Sequence, residues 1–263
     1  MNLESTAAIV TGGASGLGAA TAAALSSKGA RVFAFDLPQA IDVAMDASAA
    51  SEGRAVPDAG IEYVAVDVTD EEQVRAGIER AAAAGVPLRT VVNCAGIGPS
   101  MRIVGRKGAH DLAFYAKVVQ VNLVGSFNVL ALAAEQIAAT EPLEHGQRGV
   151  IINTASIAAY DGQVGQAAYA SSKGGIVALT LPAARDLAQY GIRVNAIAPG
   201  IVETPMLATV SEEFRAGLAS GVPFPQRLGR PEEYAKLALA IVDLDYLNGE
   251  VIRMDGALRM APR

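Results

Sequence analysis

Short runs rich in β-branched residues alternate with alanine- and leucine-rich stretches along almost the whole chain. This alternation is typical of βαβ units, in which helices connect parallel strands. Most of the runs are apolar at every position, as strands covered by helices on both faces are. The sequence therefore predicts an α/β fold with a doubly wound, seven-stranded parallel sheet and helices on both of its faces, built as one domain over residues 1–263.

The two patterns place the elements along the chain. Strands are predicted at 6–10, 31–36, 61–66, 89–93, 149–155, 192–198 and 250–254. Helices are predicted at 17–28, 71–84, 113–139, 167–189, 211–220 and 231–243. Thr69 or Asp70 is a candidate N-cap for the second of these helices. Pro182 should bend the fourth helix or end its first segment, because proline has no N–H donor.

Three segments rich in glycine and proline lack a regular pattern. Irregular structure is predicted at 38–60 and at 97–112. The stretch 199–230 is long for a connection, and long loops in compact domains are often binding loops or lids. We therefore expect a substrate-binding loop or lid at about 199–230.

Charge and hydropathy argue against several classes of partner. The net charge is −6, from 21 basic and 27 acidic residues, and no Lys/Arg cluster offsets it, so neither nucleic acid nor an anionic membrane surface is an expected partner. The most apolar stretch, VVQVNLVGSFNVLALAA, contains Gln120, Asn122, Ser126 and Asn128. It therefore predicts a buried helix rather than a membrane span.

Cysteine and histidine usage narrows the chemistry and the compartment. Cys94 is the only cysteine, which excludes an internal disulfide and fits a reducing compartment. His110 and His145 are isolated, so no metal site is expected. Only MNLES precedes the first apolar run, which leaves no room for a targeting peptide, and a cytoplasmic location is expected.

A glycine-rich turn follows the first predicted strand. TAAIV runs into TGGASGLG, and a helical stretch follows directly. Such a strand-to-helix turn lets the backbone approach a pyrophosphate at the positive end of the helix. The spacing through Gly12, Gly16 and Gly18 is G-x-x-x-G-x-G rather than the usual G-x-G-x-x-G, and a turn that merely requires glycine would look the same. The turn indicates a Rossmann fold that binds a dinucleotide.

Asp36 strengthens this interpretation and indicates which dinucleotide is bound. It ends the second predicted strand, where an acid can accept hydrogen bonds from the adenosine ribose hydroxyls. Its charge would repel a 2′-phosphate, and neither Leu37 nor Ser15 is basic, so NAD is favoured over NADP. Asp67 and Val68 follow the third strand at the same edge of the sheet, although Asp67 could instead simply cap the helix at 71.

Tyr169 and Lys173 lie four residues apart in a predicted helix and so share one face. A tyrosine hydroxyl has a pKa of about 10, and a neighbouring ammonium group favours its ionised form. Ser156, at the end of GVIINTAS, can hold a substrate oxygen beside the tyrosine. Together these residues are suited to redox chemistry at a carbonyl, although Tyr and Lys at this spacing also occur by chance.

The order of these motifs resembles the short-chain dehydrogenase/reductase family. The resemblance rests on the glycine turn, NCAG at 93–96, Asn122, Ser156, YASSK and the PG pair at 199–200, and it covers essentially the whole chain. Longer segments, including GQRGVIINTAS, GQVGQAAY, PFPQRLGRPEEYA and LNGEVIRMDGALRM, are similar to the branch of the family that acts on 3-hydroxyacyl-CoA thioesters.

The resemblance implies roles for four catalytic residues. Tyr169 would be the acid/base and Ser156 would orient the substrate oxygen. Lys173 would bind the nicotinamide ribose beside Tyr169 and lower the pKa of that tyrosine. Asn122 would hold a water molecule that connects Lys173 to solvent; from the residues alone, Asn122 would make a structural hydrogen bond in a buried helix.

The resemblance also implies the contacts of the cofactor and the substrate. Positions that match NAD contacts are Ser15, Leu17, Asp36, Asp67, Val68, Val202 and Thr204. The NCAG backbone, including Cys94 and Gly96, would pass the adenosine side of the cofactor. Cys94 replaces the second asparagine of the usual NNAG, and we expect it to pack rather than to act as a nucleophile. Gln163 is a candidate for the acyl pocket.

Three functions follow as expectations. The first is an NAD-dependent dehydrogenase of short or branched 3-hydroxyacyl-CoA, with steroid alcohols as possible side substrates. The second is a 3-oxoacyl-[acyl-carrier-protein] reductase, against which Asp36 weighs, and the third is a catalytically silent NAD-binding scaffold. A homotetramer is implied by the resemblance.

Two segments depart from the family pattern. The region between Asp36 and Asp67 is several residues longer than in relatives, which affects the adenine edge. Residues 201–222, where substrate choice usually resides, match only loosely. The reaction is therefore predicted more firmly than the substrate.

Overall fold

The computed structural model describes residues 1–50, 60–106, 108–204, 207 and 211–262. Its described strands are β1 Ala7–Thr11, β2 Arg31–Asp36, β3 Ile61–Ala65, β4 Leu88–Asn93, β5 Val104–Gly105, β6 Gly108–Ala109, β7 Gly149–Thr154, β8 Ile192–Pro199 and β9 Val251–Met254. Seven of them form one sheet in the order β3-β2-β1-β4-β7-β8-β9, and every neighbouring pair is parallel. The predicted doubly wound, seven-stranded parallel sheet is confirmed.

The helices of the described residues cover both faces of the sheet. They are α1 Gly16–Ser26, α2 Pro38–Ala50, α3 Glu71–Ala82, α4 Leu112–Val119, α5 Gly125–Ala138, α6 Ala167–Leu187, α7 Glu212–Ser220 and α8 Pro231–Asp243. A π-helical turn, Gln120–Val124, joins α4 to α5, and short 3-10 turns lie at Glu144–Gly146, Ile157–Ala159 and Ala188–Tyr190. The predicted helix at 113–139 is therefore one continuous rod with a π turn at its centre.

Alternate residues of a central strand enter different cores. Val91 and Ile151 pack in the core under α3, α5 and α6, whereas Val92 and Ile152 pack in the core under α1 and α8. Successive strand side chains point to opposite faces. The fully apolar strands of the sequence therefore reflect a sheet that is covered on both sides.

The apolar rod Leu112–Ala138 is the one helix of the described part of the chain long and apolar enough to cross a membrane by length and composition. Its residues Val129, Leu130 and Ala133 pack in the same core as Val91 and Ile151. The helix that the sequence predicted to be buried is therefore buried along one side, while other apolar side chains on it are exposed.

Two of the segments predicted to be irregular contain regular structure. Residues 38–50 form a helix rather than irregular structure, because Pro38 fits the first helical position, where no N–H partner is lost; residues 51–59 lie outside the described part of the chain. The segment 97–112 is irregular except for the small antiparallel pair of β5 and β6, and α4 begins at Leu112.

Pro182 lies inside α6 and does not end it. The residues around it, Thr180, Ala183 and Ala184, are buried, so packing against the core compensates for the missing backbone hydrogen bond. Asp70, rather than Thr69, caps α3 by accepting a 3.1 Å hydrogen bond from the backbone N–H of Gln73.

Candidate active site

Ser156 lies just beyond the carboxyl end of β7, where parallel α/β sheets bind their ligands. It is the N-cap of the 3-10 turn Ile157–Ala159, and its Oγ accepts a 3.1 Å hydrogen bond from the backbone N–H of Ala158. Its side chain also hydrogen-bonds Tyr169, in the first turn of α6. The structure therefore brings the two predicted hydroxyl groups together.

Lys173 completes this group one helical turn further along α6. Its ammonium nitrogen donates a 2.7 Å hydrogen bond to the backbone oxygen of Thr154 and lies 5.9 Å from the centroid of the Tyr169 ring. The side chain is buried, and this burial lowers the pKa of Lys173 from 10.5 to about 8. A buried ammonium group whose pKa lies near the physiological range can exchange its proton with neighbours.

The electrostatics of Tyr169 differ from the expectation. Burial raises the pKa of Tyr169 above its ordinary value, and the hydrogen bond to Ser156 partly opposes this effect. The expected lowering by Lys173 is not found in this structure, because desolvation of the phenol outweighs the neighbouring charge. The tyrosine therefore holds its proton at neutral pH and can donate it.

Asn122 lies in the π turn and is fully buried. Its side-chain amide makes a reciprocal pair with Ile97: Oδ1 accepts from the backbone N–H at 2.8 Å, and Nδ2 donates to the backbone oxygen at 2.9 Å. Nδ2 also donates to Ser172 Oγ at 3.0 Å. The structural role that the residues alone suggested is therefore present, and π turns of this kind are frequent at functional sites.

The backbone of Gly96 lies close to the side chains of both Asn122 and Lys173. A Cβ atom at Gly96 would lie 3.1 Å from Asn122 Oδ1 and 3.5 Å from Lys173 Nζ. The NCAG segment therefore passes directly over the polar groups of α6 and the π turn.

The glycine turn after β1 is packed too closely to accept side chains. Gly12 has a φ of +64°, and a Cβ atom at Gly18 would lie 2.0 Å from the Gly12 carbonyl oxygen. Gly16 begins α1, and Leu17 packs partly against the core beneath it. The exposed Ser15 is the N-cap residue, yet its side chain makes no capping hydrogen bond.

These features leave the N–H groups of the first turn of α1 available at the carboxyl edge of the sheet. The positive end of a helix with such a close-packed turn suits a pyrophosphate. The residues present thus fit the dinucleotide that the sequence predicted.

Asp36 is fixed against the glycine turn. Its Oδ2 accepts a 3.0 Å hydrogen bond from the backbone N–H of Ala14, and its Oδ1 accepts one of 2.9 Å from Leu37. Each carboxylate oxygen keeps a further lone pair with which to accept from a ribose hydroxyl. The contact with Ala14 joins Asp36, the predicted ribose contact, to the glycine turn, a link that no sequence pattern had indicated.

Asp67 and Val68 follow β3, the strand next to β2, which ends at Asp36. Asp67 Oδ1 accepts from both the backbone N–H and the hydroxyl of Thr69, at 2.9 and 2.8 Å. Asp67 therefore orders its own turn rather than capping α3. Val68 is buried against Gly125, where an added Cβ atom would lie 2.7 Å from Val68 Cγ2.

Cys94 packs beneath the site. Its sulfur lies 3.7 Å from the hydroxyl groups of both Tyr234 and Thr154. Burial raises the pKa of the Cys94 thiol, which keeps it protonated and unsuited to nucleophilic attack. Thr154 and Tyr234, whose hydroxyls are 2.7 Å apart, were missed from the sequence, because a Tyr in α8 gives no local sign that it reaches β7.

Two of the predicted NAD contacts, Val202 and Thr204, lie on the loop after β8, whereas the acyl-pocket candidate Gln163 lies between Ser156 and Tyr169. Val202 is buried and forms a bridge with Gly229, and Thr204 follows it; residues 205, 206 and 208–210 are outside the described part of the chain. Gln163 is turned towards the C-terminal segment, where its Nε2 donates a 2.9 Å hydrogen bond to the Ala261 backbone oxygen.

Similarity to known proteins agrees with this geometry. The family model described as short chain dehydrogenase matches residues 6–214. The chain belongs to the short-chain dehydrogenase family. Its members are oxidoreductases, and the seven-stranded sheet, the glycine turn and the group formed by Ser156, Tyr169 and Lys173 fit that family.

Individual relatives are similar over nearly their full length. The 3-hydroxyacyl-CoA dehydrogenase type-2 of Drosophila melanogaster is 48% identical over 99% of this chain and 100% of its own. The protein of the same name from Bos taurus is 49% identical over 97% of this chain and 95% of its own. A crystal structure of 3-hydroxyacyl-CoA dehydrogenase type-2 from Mycobacterium avium superposes with a TM-score of 0.90, at 44% identity, over 99% of this chain and 98% of the other.

Proposed function

We propose that this oxidoreductase is NAD-dependent and interconverts short or branched 3-hydroxyacyl-CoA and 3-oxoacyl-CoA thioesters. The observation that carries the reaction type is the hydrogen-bonded pair of Ser156 and Tyr169 beside the buried Lys173. Support for the thioester comes from the relatives, which bear that activity in their names.

NAD is proposed because of the charge and position of Asp36. Its carboxylate, oriented by Ala14 and Leu37, can accept hydrogen bonds from two ribose hydroxyls and would repel a 2′-phosphate. Ser15 and Leu37 place no cation beside it. When bound, NAD supplies the carbon that accepts or donates hydride.

The chain itself orients the substrate oxygen and moves its proton. In reduction, Ser156 holds the carbonyl oxygen while Tyr169 donates its hydroxyl proton to that oxygen as the alcohol forms. In oxidation, the Tyr169 phenolate takes the proton of the substrate hydroxyl. The raised pKa of Tyr169 keeps its hydroxyl protonated at neutral pH, so the protein carries the proton that reduction consumes.

Lys173 assists by returning the proton to Tyr169. Its ammonium group is anchored to Thr154 and borders Gly96, next to the Asn122 amide. A pKa of about 8 permits Lys173 to give up a proton and regain it within the working range. We propose Asn122 as the holder of the water that connects this lysine to solvent.

Assembly and location belong to the same proposal. A homotetramer is supported by exposed apolar side chains on the helix Leu112–Ala138, where Phe127 is 50% and Val124 is 42% exposed. Size-exclusion chromatography with light scattering measures the number of subunits directly.

A cytoplasmic location is supported by the single, unpaired Cys94.

The proposal is tested by steady-state kinetics with acetoacetyl-CoA, a 2-methyl-branched 3-oxoacyl-CoA, an acyl-carrier-protein thioester and a steroid ketone, each with NADH and NADPH. We expect the highest kcat/KM with an acyl-CoA and NADH. A preference for NADPH with the carrier-protein substrate would instead identify a biosynthetic reductase. Absence of turnover with all four would identify an NAD-binding scaffold.

A further inference from the structure

The loop between Ser156 and Tyr169 is held on its outer side by the C-terminal segment 255–262. The Gln163 side chain donates to the backbone oxygen of Ala261 at 2.9 Å, and the backbone N–H of Val164 donates to Pro262 at 3.0 Å. The loop that carries the catalytic serine is therefore held by residues 98 positions away in sequence.

Arg253, in β9, lies at the centre of this junction. Its guanidinium group donates to Asp161 Oδ2 and to Asp255 Oδ2, each at 2.7 Å. The same group donates to the Leu258 backbone oxygen at 3.1 Å and lies 5.1 Å from the centroid of the Tyr160 ring. Asp255 and Asp161 are only 7% and 17% exposed, so these ion pairs are shielded from solvent.

One branch of this network leads to the catalytic serine. The backbone N–H of Asp161 donates to the Ile157 oxygen at 2.9 Å, and Ile157 directly follows Ser156. Ile157 also packs with Leu258 and Val222 in a small buried cluster. A displacement of Asp161 would therefore move the turn that orients the Ser156 hydroxyl.

The other branch of the network leads to Gly200, at the start of the loop after β8. A Cβ atom at Gly200 would lie 2.8 Å from the Asp255 Cβ, and the Gly200 N–H donates to the Met254 oxygen at 2.9 Å. Gly200 lies two residues before Val202, one of the positions that match NAD contacts. The backbone and Cβ of Asp255 pack here, and the carboxylate of the same residue is held by Arg253.

We propose that Arg253 is a positioning residue that sets the Ser156–Tyr169 loop against the Gly200 turn by bridging Asp161 and Asp255. The planar guanidinium can donate to two carboxylates at fixed angles, whereas an ammonium group cannot hold both in the same geometry. Arg253 thereby controls the alignment of the substrate oxygen with the cofactor without touching either. The inference rests on the proposed function only for the choice of substrate.

The test compares Arg253→Lys and Asp161→Asn with a matched control, Arg259→Lys. Arg259 also pairs with Asp255, at 3.2 Å, but does not contact Asp161, and its side chain is 62% exposed. Kinetics use the best substrate found for the wild-type enzyme, so an inactive wild type counts against the proposed function and not against Arg253.

We expect Arg253→Lys and Asp161→Asn each to lower kcat by about 10-fold to 100-fold, because small misplacements of reacting groups cost rates of this order. The KM for NADH should stay within about 2-fold of wild type, and the double variant should be no slower than the slower single variant, as residues that act as a unit require. Arg259→Lys should resemble wild type.

Wild-type kcat in a folded Arg253→Lys protein would overturn the proposal, as would additive losses in the double variant. If Arg253→Lys does not fold, the Asp161→Asn variant decides, because it retains the Arg253–Asp255 pair. An equal loss of kcat in Arg259→Lys would also overturn the proposal, because that variant keeps the charge near Asp255 and leaves the Arg253 bridge intact.

Discussion

The ammonium group of Lys173 donates a 2.7 Å hydrogen bond to the backbone oxygen of Thr154, and this contact ties α6 to the carboxyl end of β7. Tyr169 is on the same helix and Ser156 follows Thr154 by two residues, so this contact contributes to fixing the separation of the two hydroxyl groups. This arrangement buries the ammonium group of Lys173, which costs free energy because the charged form loses its hydration. The same loss of hydration lowers the pKa of Lys173.

That burial predicts how stability depends on pH. The pKa of Lys173 is about 8 in the folded chain and 10.5 ordinarily, so between these values the unfolded chain holds a proton that the folded chain has released. Raising the pH through this window therefore stabilises the folded state, by about 1.4 kcal/mol per pH unit. Below about pH 8 both states are protonated, and this contribution is lost.

Chemical denaturation of the wild type and of Lys173→Met, without cofactor, at pH 7, 8, 9 and 10 measures this effect. The difference in free energy of unfolding should be flat from pH 7 to 8 and should then shift in favour of the wild type. A difference that stays constant to pH 10 would mean that the folded-state pKa of Lys173 is not lowered.

Tyr169→Phe should bind NADH normally yet lose about 10²-fold to 10⁴-fold in kcat, because the variant keeps the ring and lacks the proton that is transferred. The variant also removes the interaction of this hydroxyl with Ser156, which keeps its hydrogen bond from the Ala158 backbone N–H. NADH affinity from fluorescence quenching and turnover with acetoacetyl-CoA separate binding from chemistry. A turnover near that of the wild type would show that another group supplies the proton.

The fold was largely predictable, because each strand of the seven-stranded sheet and most helices carry a local signal. The fully apolar strands and the glycine turn required a two-sided parallel sheet, and the spacing of Tyr169 and Lys173 placed them on one helix face. Of the two predicted effects of Pro182, the end of a helix segment does not occur, because a local rule about a missing donor does not include the packing of α6 on the sheet. Helix α2 was missed because small and polar residues gave its segment the composition of a loop.

The site was less predictable where it depends on partners distant in sequence. Nothing near Asp36 indicates that its carboxylate accepts from Ala14, and nothing near Gln163 indicates that it turns towards Ala261. The direction of the Tyr169 pKa was mistaken for a similar reason. Proximity to Lys173 can be inferred from spacing, whereas the degree of burial depends on the whole fold.

Asp36→Asn should weaken the preference for NADH over NADPH. The variant keeps the size of the side chain but loses the charge that repels a 2′-phosphate and that strengthens the ribose hydrogen bonds. Hydrogen bonds to a charged group contribute about 1.5 to 3 kcal/mol, so kcat/KM for NADH should fall by about 10-fold to 100-fold. The ratio of kcat/KM for the two cofactors, measured with one acyl substrate, checks the expectation.

Leu37→Arg is the complementary change, because Leu37 is 47% exposed beside Asp36 and leaves the carboxylate in place. It should raise kcat/KM for NADPH while leaving that for NADH within about 3-fold, since an exposed cation interacts only modestly in water. If the ratio of kcat/KM for NADH and NADPH is unchanged in both variants, Asp36 does not contact the adenosine ribose.

Gly18→Ala should abolish NADH binding or prevent folding, because the added methyl group would lie 2.0 Å from the Gly12 oxygen, far inside contact distance. The turn would have to open exactly where the first N–H groups of α1 face the pyrophosphate site. Gly217→Ala is the matched control: Gly217 is in α7, it is exposed, and an added methyl group meets nothing within 4 Å. Since alanine is the better helix former, this control should be more stable by about 0.5 to 1 kcal/mol with unchanged NADH affinity. Thermal unfolding with and without NADH measures both variants, and normal stabilisation of Gly18→Ala by NADH would show that the turn is not where the cofactor binds.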